Sequence, residues 1–79
     1  MRATVLVRPK QGILDPQGAA VVTALDHLGF GVSEARVGKV IDLEVDAADA
    51  DTARAQVEKM CAQLLANPLM ESYDVEIHA

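Results

Sequence analysis

Val32-Ser33-Glu34-Ala35-Arg36-Val37-Gly38-Lys39-Val40-Ile41-Asp42-Leu43-Glu44-Val45-Asp46 places Ala35, Val37, Ile41, Leu43 and Val45 on one parity and Glu34, Arg36, Asp42, Glu44 and Asp46 on the other. Only Lys39 breaks the apolar set. A period of two is the signature of a half-buried strand. A two-residue hairpin turn at Gly38-Lys39 would pair Val37 with Val40 and turn Asp42 and Glu44 toward the core. A three-residue loop over Gly38 to Val40 keeps the parity, but it usually puts its last residue in the left-handed region, which a β-branched valine avoids. The pattern therefore predicts one long strand, bent or bulged near Gly38. Such a strand exceeds the usual length of roughly 3–10 residues. One end should overhang a small sheet, and an overhanging edge tends to pair with another chain. Dimerisation through this strand is the expectation.

The flanks supply the other elements. Ala3 to Arg8 reads as a first strand closed by Pro9. After the loop Lys10 to Leu14, Asp15 suits an N-cap and Pro16 the first helical position, where a missing N–H costs nothing. Val21, Leu25 and Leu28 come next at helical spacing. Gly29 is placed to end the helix in the left-handed region, with Phe30 able to pack back on Leu25. A second helix starts at Asp49 or Asp51 and carries Ala53, Val57, Met60, Cys61 and Leu64 on one face; Asn67-Pro68 stops it. Tyr73, Val75 and Ile77 then alternate with Asp74, Glu76 and His78 as a third strand. The order β-α-β-α-β, in a single domain over residues 1–79, predicts an α+β two-layer sandwich related to the ferredoxin-like pattern. Its sheet should contain antiparallel strands, with one polar face and both helices on the other.

Composition narrows the function. Seventy-nine residues give a marginal core, which small domains support with a disulfide, a metal or a partner. One cysteine, Cys61, excludes an internal disulfide and a cysteine-based metal cluster, and so points to association. A net charge of −5 with only Phe30 and Tyr73 as aromatic residues argues against nucleic-acid binding. The run Met1 to Val7 is too brief for a signal peptide, and no stretch approaches the ~20 apolar residues of a membrane span. A reduced cytoplasmic location is expected.

The residues that could carry chemistry read more simply as structure. Cys61 lies on an apolar helix face, where a thiol behaves as a small hydrophobe. His27 sits near a helix C-terminus, where a cation suits the dipole, and His78 is placed to fray at the chain end. The acidic series Asp42, Glu44, Asp46, Asp49 and Asp51 lacks the spacing of a calcium loop and reads as a solvated strand face leading into a helix cap. Nucleotide-binding glycine motifs and a nucleophile–histidine–acid set are missing from the sequence. No catalytic, metal or cofactor residue is therefore assigned. Arg36-Val37-Gly38-Lys39 stands out, with two cations and a glycine inside an acidic and apolar strand. It reads either as an edge carrying charges against aggregation or as an interface, where Gly38 admits another backbone and the cations reach carboxylates.

Gly12-Ile13-Leu14-Asp15-Pro16-Gln17-Gly18, Leu28-Gly29-Phe30, Arg36-Val37-Gly38-Lys39 and Leu65-Ala66-Asn67-Pro68, in this order and spacing, resemble the landmarks of the PurS family, the small subunit of phosphoribosylformylglycinamidine synthase. The resemblance implies a non-catalytic, dimeric subunit of the enzyme at the fourth step of de novo purine synthesis. It implies a glutaminase subunit and a large synthetase subunit as partners, bridged so that ammonia passes between them. ATP and Mg would belong to the synthetase, with no cofactor on this subunit. Arg36, Gly38, Lys39, Asn67 and Leu69 are the expected partner contacts. The competing expectation is an ACT-like sensing domain, which would hold a small molecule around Gly12 to Gly18.

Overall fold

The connections between strands dictate where each helix can lie. In the computed structural model, which describes residues 1–78, three strands form one sheet in the order β2-β1-β3, with β1 at Arg2–Pro9, β2 at Lys39–Glu44 and β3 at Glu71–His78. Both outer strands run antiparallel to β1, with Val5 opposite Ile41 on one side and Val75 on the other. β2 and β3 are therefore parallel to each other, and the chain joining them must cross a face of the sheet over β1. That chain holds α2, Ala50–Met60, which packs on β1 and β3. The core lies in this contact: Ala3, Val5 and Val7 meet Ala53, Val57, Cys61 and Ala66, all buried.

The connection from β1 to β2 joins antiparallel neighbours and needs no crossover. It leaves the end of the sheet as α1, Pro16–His27, and returns as an extended segment over residues 30–38. Residues 10–38 thus form an arm. Only Gly18 of α1 is buried, so α1 does not join α2 as a second covering helix on the sheet. The departure from the expected two-helix layer is one of direction: an excursion between antiparallel neighbours can project beyond the strand ends. The molecule measures 50 × 24 × 14 Å with a radius of gyration of 15.8 Å, against roughly 12 Å for a compact domain of this length.

Local signals in the arm match the sequence. Asp15 caps α1, its Oδ1 accepting the Gly18 N–H at 3.1 Å, and Pro16 occupies the first helical position. At the other end Gly29 has φ 93°. Phe30 N–H donates to Leu25 O and Gly29 N–H to Asp26 O, both at 3.0 Å. These two bonds make a Schellman stop.

The stretch read as one strand keeps its parity throughout. Ala35, Val37, Ile41 and Leu43 are half-buried and Val45 is buried, while Glu34, Arg36, Asp42, Glu44 and Asp46 are exposed. There is no reversal at Gly38-Lys39. The ladder, however, is confined to Lys39–Glu44, because β1 ends in Pro9 and offers the preceding residues no continuing partner. Residues 32–38 are the overhang.

Two details of the second half differ from the expected pattern. Asp49 is the cap of α2, its Oδ1 accepting the Thr52 N–H at 2.7 Å, but the helix widens into a π turn at Cys61–Leu65, closed by Ala66 N–H on Cys61 O. The extra residue in this turn rotates the side chains beyond it. Leu65 and Ala66 turn to the core, and Leu64, expected on the buried face, is 83% exposed. His78, expected to fray, is paired opposite Arg2 in β3, and its Nε2 lies 3.0 Å from Thr4 Oγ1.

Cys61 is fully buried, and burial, then the charge of Glu58, pushes its thiol above the ordinary value. The protonated thiol is a poor nucleophile. In the native protein, alkylation of Cys61 is expected to run roughly a thousandfold slower than in denaturant, at the pace of opening of the core. Rapid native labelling detected by mass spectrometry would contradict this burial.

Candidate functional site

The residues singled out in Arg36-Val37-Gly38-Lys39 sit where the arm joins the sheet. Asp15 is the centre of this joint. One carboxylate oxygen caps α1, and the other accepts the Val37 N–H at 2.7 Å from the returning segment. Gly18 lies flat against the Ala35 carbonyl, leaving no room for a Cβ. Arg36 reaches back across the arm, donating from Nη2 to Lys10 O at 2.6 Å, with Glu34 3.5 Å from its Nη1. The helix start, the loop before it and the return segment are thereby held together.

These bonds also set the response to acid. The Val37 N–H, then the Gly18 N–H, hold the Asp15 carboxyl below its ordinary value of 3.8, with Gln17 N–H and the Arg36 charge acting in the same direction. A carboxylate whose pKa is depressed on folding contributes stability above its unfolded value and loses it as pH falls through the folded one. The arm should therefore hold at pH 5 and loosen below about pH 3.8, the ordinary value. The exchange of the Val37 amide, monitored by NMR, is the readout. Unchanged protection of Val37 in Asp15→Asn at neutral pH would remove the carboxylate from this role.

The five residues expected at a partner divide in two. Gly38 abuts the Val7 carbonyl, so the close backbone approach anticipated there is made by β1 of the same chain. Arg36 is occupied as described. Asn67 organises the turn before β3: its Oδ1 accepts Leu69 N–H at 3.0 Å and its backbone oxygen the Glu71 N–H at 2.7 Å. Lys10 fastens that turn to the arm root through Pro68 O at 2.7 Å and Met70 O at 2.8 Å. Lys39 and Leu69 remain outward, Leu69 at 81% exposure. Lys39 has neither a salt bridge nor a side-chain hydrogen bond among the described residues.

Near this joint Arg8, Arg36 and Lys39 line a groove of about 330 Å³ with Val7, Gly38 and Val40. Leu14 and Met70 flank a second hollow of about 250 Å³ between the arm root and the 67–71 turn. Among the described residues no group of three or more His, Cys, Asp and Glu side chains could hold a metal ion. No helix among the described residues is long and apolar enough to cross a membrane. The site offers shape, backbone edges and a few cations, which are the means of joining proteins.

The family model for PurS, phosphoribosylformylglycinamidine (FGAM) synthase, matches residues 2–79. The chain belongs to the PurS family. A PurS relative from Synechocystis, called a phosphoribosylformylglycinamidine synthase subunit, is 48% identical over 79 residues, covering 99% of this chain and 77% of the relative. Bacillus subtilis PurS superposes with a TM-score of 0.87 at 37% identity, covering 99% and 98% of the two chains. A chain in the structure of PurLQS from Thermotoga maritima gives 0.85 at 34% identity, covering 95% and 93%. The PurS landmarks quoted from the sequence fall at the arm root, the α1 stop, the arm return and the turn after the π segment.

Asp15's second bond, Gly18's contact and Arg36's internal role join residues 17 to 26 positions apart. No local sequence signal announces them. The Gly-x-x-Asp-Pro-x-Gly spacing marked the segment but not the bonds it makes.

Proposed function

We propose that this chain is the non-catalytic small subunit of an FGAM synthase, joining a glutaminase subunit to a synthetase subunit and helping ammonia pass between them. The observation that carries the reading is a PurS-family chain whose chemistry-bearing side chains are spent on structure, while its apolar arm and its strand edge are left open. The relatives are called subunits of this synthase, and one occurs in a PurLQS structure. In this reading ATP and Mg act at the synthetase, this subunit binds no cofactor, and the complex works in the cytoplasm.

Two copies associate first, through residues 32–38. This segment makes no ladder pairs with β1, which leaves its edge open apart from the Val37 N–H held by Asp15. The edge of β3, by contrast, is covered in part by Arg54, which donates to Val75 O at 3.1 Å. Lys39 and Leu69 face the larger subunits, and Arg36, Gly38 and Asn67 shape the surface that presents them.

Reconstitution tests this. With the synthetase and glutaminase subunits, adding the chain should raise glutamine-dependent amidine formation, and leaving it out should spare synthesis from free ammonia. Glutamine-dependent activity indifferent to the chain would overturn the bridge. Lys39→Glu is the cleaner interface probe than Arg36→Glu, because an exposed substitution without internal bonds changes stability by only about 0.5 kcal/mol. Co-elution with the partners is expected to weaken in Lys39→Glu at unchanged melting temperature. Unchanged co-elution would remove Lys39 from the interface.

A further inference from the structure

α2 lies on the face of Ala3, Val5 and Val7, and the alternation of β1 sends Thr4, Leu6 and Arg8 to the opposite face. At one end of that outer face the polar groups satisfy one another. Thr4 donates to Asp42 Oδ1 at 2.9 Å and lies 3.0 Å from His78 Nε2. At the other end Leu6 stands opposite Val40, which is 62% exposed. These two residues supply the apolar lining of the 330 Å³ groove at the joint, and Arg8 and Arg36 supply its charge.

The charge is concentrated there. Arg8, Lys10, Arg36 and Lys39 are four of the seven Lys and Arg residues in a chain of net charge −5. The carboxylates nearest the two arginines hold them weakly. Asp74 Oδ2 is 3.8 Å from Arg8 Nη1, with both side chains mostly exposed, and Glu34 Oε1 is 3.5 Å from Arg36 Nη1. Exposed ion pairs of this kind add almost nothing to stability, so either carboxylate is readily exchanged for another. Arg36 is also held in place, because its Nη2 donates to Lys10 O at 2.6 Å. A cation fixed beforehand loses little freedom when a partner arrives.

We propose that this groove docks an acidic segment of one of the larger subunits, whose carboxylates take the places of Asp74 and Glu34 on Arg8 and Arg36 while an apolar side chain covers Leu6 and Val40. This rests on the joining function proposed above and gives that contact its chemistry. The small chain is the cationic side, and Arg8, which that reading leaves unused, is its centre. The lining favours a peptide over a nucleotide. It holds no aromatic ring to stack a base and no helix N-terminus to cradle a phosphate. Its arginines already face carboxylates, beside an apolar surface that a phosphate would leave uncovered.

The test reconstitutes the complex from the synthetase subunit, the glutaminase subunit and this chain carrying Arg8→Glu or Arg8→Lys. Arg8 is exposed and outside the core, so the melting temperature should not change. Titration calorimetry should show Arg8→Glu binding the larger subunits about tenfold more weakly or worse at low salt, with the gap closing at high salt. In the Arg8→Lys complex, a water-soluble carbodiimide should couple the amine at position 8 to an Asp or Glu of a larger subunit, located by mass spectrometry. If Arg8→Glu assembles as tightly as the parent chain, or position 8 couples only to Asp74 of its own chain, the groove is not the contact and the joining function stands without it. A parent chain that binds neither subunit would overturn the joining function and the groove together. Inorganic phosphate, titrated into the isolated chain and followed by NMR, should leave the Leu6 and Val40 amides unmoved. Saturable shifts abolished by Arg8→Gln would make the groove a phosphate site and overturn the acidic segment.

Discussion

Gly38→Val is expected to lower the melting temperature by about 15 °C or more and to leave little folded protein at 37 °C. Gly38 does not have a positive φ, so its backbone is open to any residue, and the constraint is space alone. A Cβ built there falls on the carbonyl oxygen of Val7 and near Arg8 Cα. Both contacts are backbone of the central strand, and Val7 itself is 1% exposed. No flexible side chain can yield. Relief requires parting β2 from β1 where their ladder begins, with cost on the order of 3 kcal/mol or more. A domain of this length holds only about 4–12 kcal/mol, and each kcal/mol is worth roughly 4–8 °C. Gly31→Val is the control: nothing lies within 4 Å of a Cβ there. Calorimetry showing equal melting for the two variants would mean that the Gly38–Val7 approach is not a constraint on the fold.

The range of each interaction decides whether the sequence revealed it. The strand parity from Ala35 to Val45, the Asp15-Pro16 start of α1 and its Gly29 stop are local, and each is present as expected. The placement of α1 is not local. Its apolar composition says that it must be covered, but which surface covers it depends on β2 pairing antiparallel to β1 across some thirty intervening residues. The π turn is hidden for another reason. Cys61 to Leu65 fits a regular helix by composition, and one inserted residue is enough to exchange Leu64 for Leu65 and Ala66 at the core. At the candidate site the residue types were legible and the roles less so. Arg36 and Gly38 stood out as anomalies in a strand, and the structure turns both inward on their own chain. Lys39 and Leu69 keep the outward position expected of contacts. The place of His78 near the chain end suggests fraying, whereas cross-strand pairing with β1 decides its position.

Gly18→Val should separate the arm from the sheet. In an exposed helix interior, replacing glycine by alanine gains about 1 kcal/mol from propensity alone. At Gly18 the sign reverses, because a Cβ there meets the Ala35 carbonyl and approaches Asp15 Oδ2 at 2.8 Å. The helix start must then move off the return segment, and the bonds from Gly18 and Val37 to Asp15 go with it. None of these groups belongs to the core formed by β1 and α2. The expected result is a protein whose β1, β2 and β3 amides keep their protection while those of residues 15–37 exchange roughly a hundredfold faster. Because the arm supplies both the free edge and the apolar helix, self-association and glutamine-dependent reconstitution should fail together in this variant, with the sheet intact. The contrast with Gly38→Val is the informative part. If Gly18→Val also melted the sheet, the arm and the sheet would be one cooperative unit, and α1 would not be a separate element kept for a partner. If it freed the arm yet left assembly unchanged, the binding surface would have to lie on the sheet and the Leu69 turn alone.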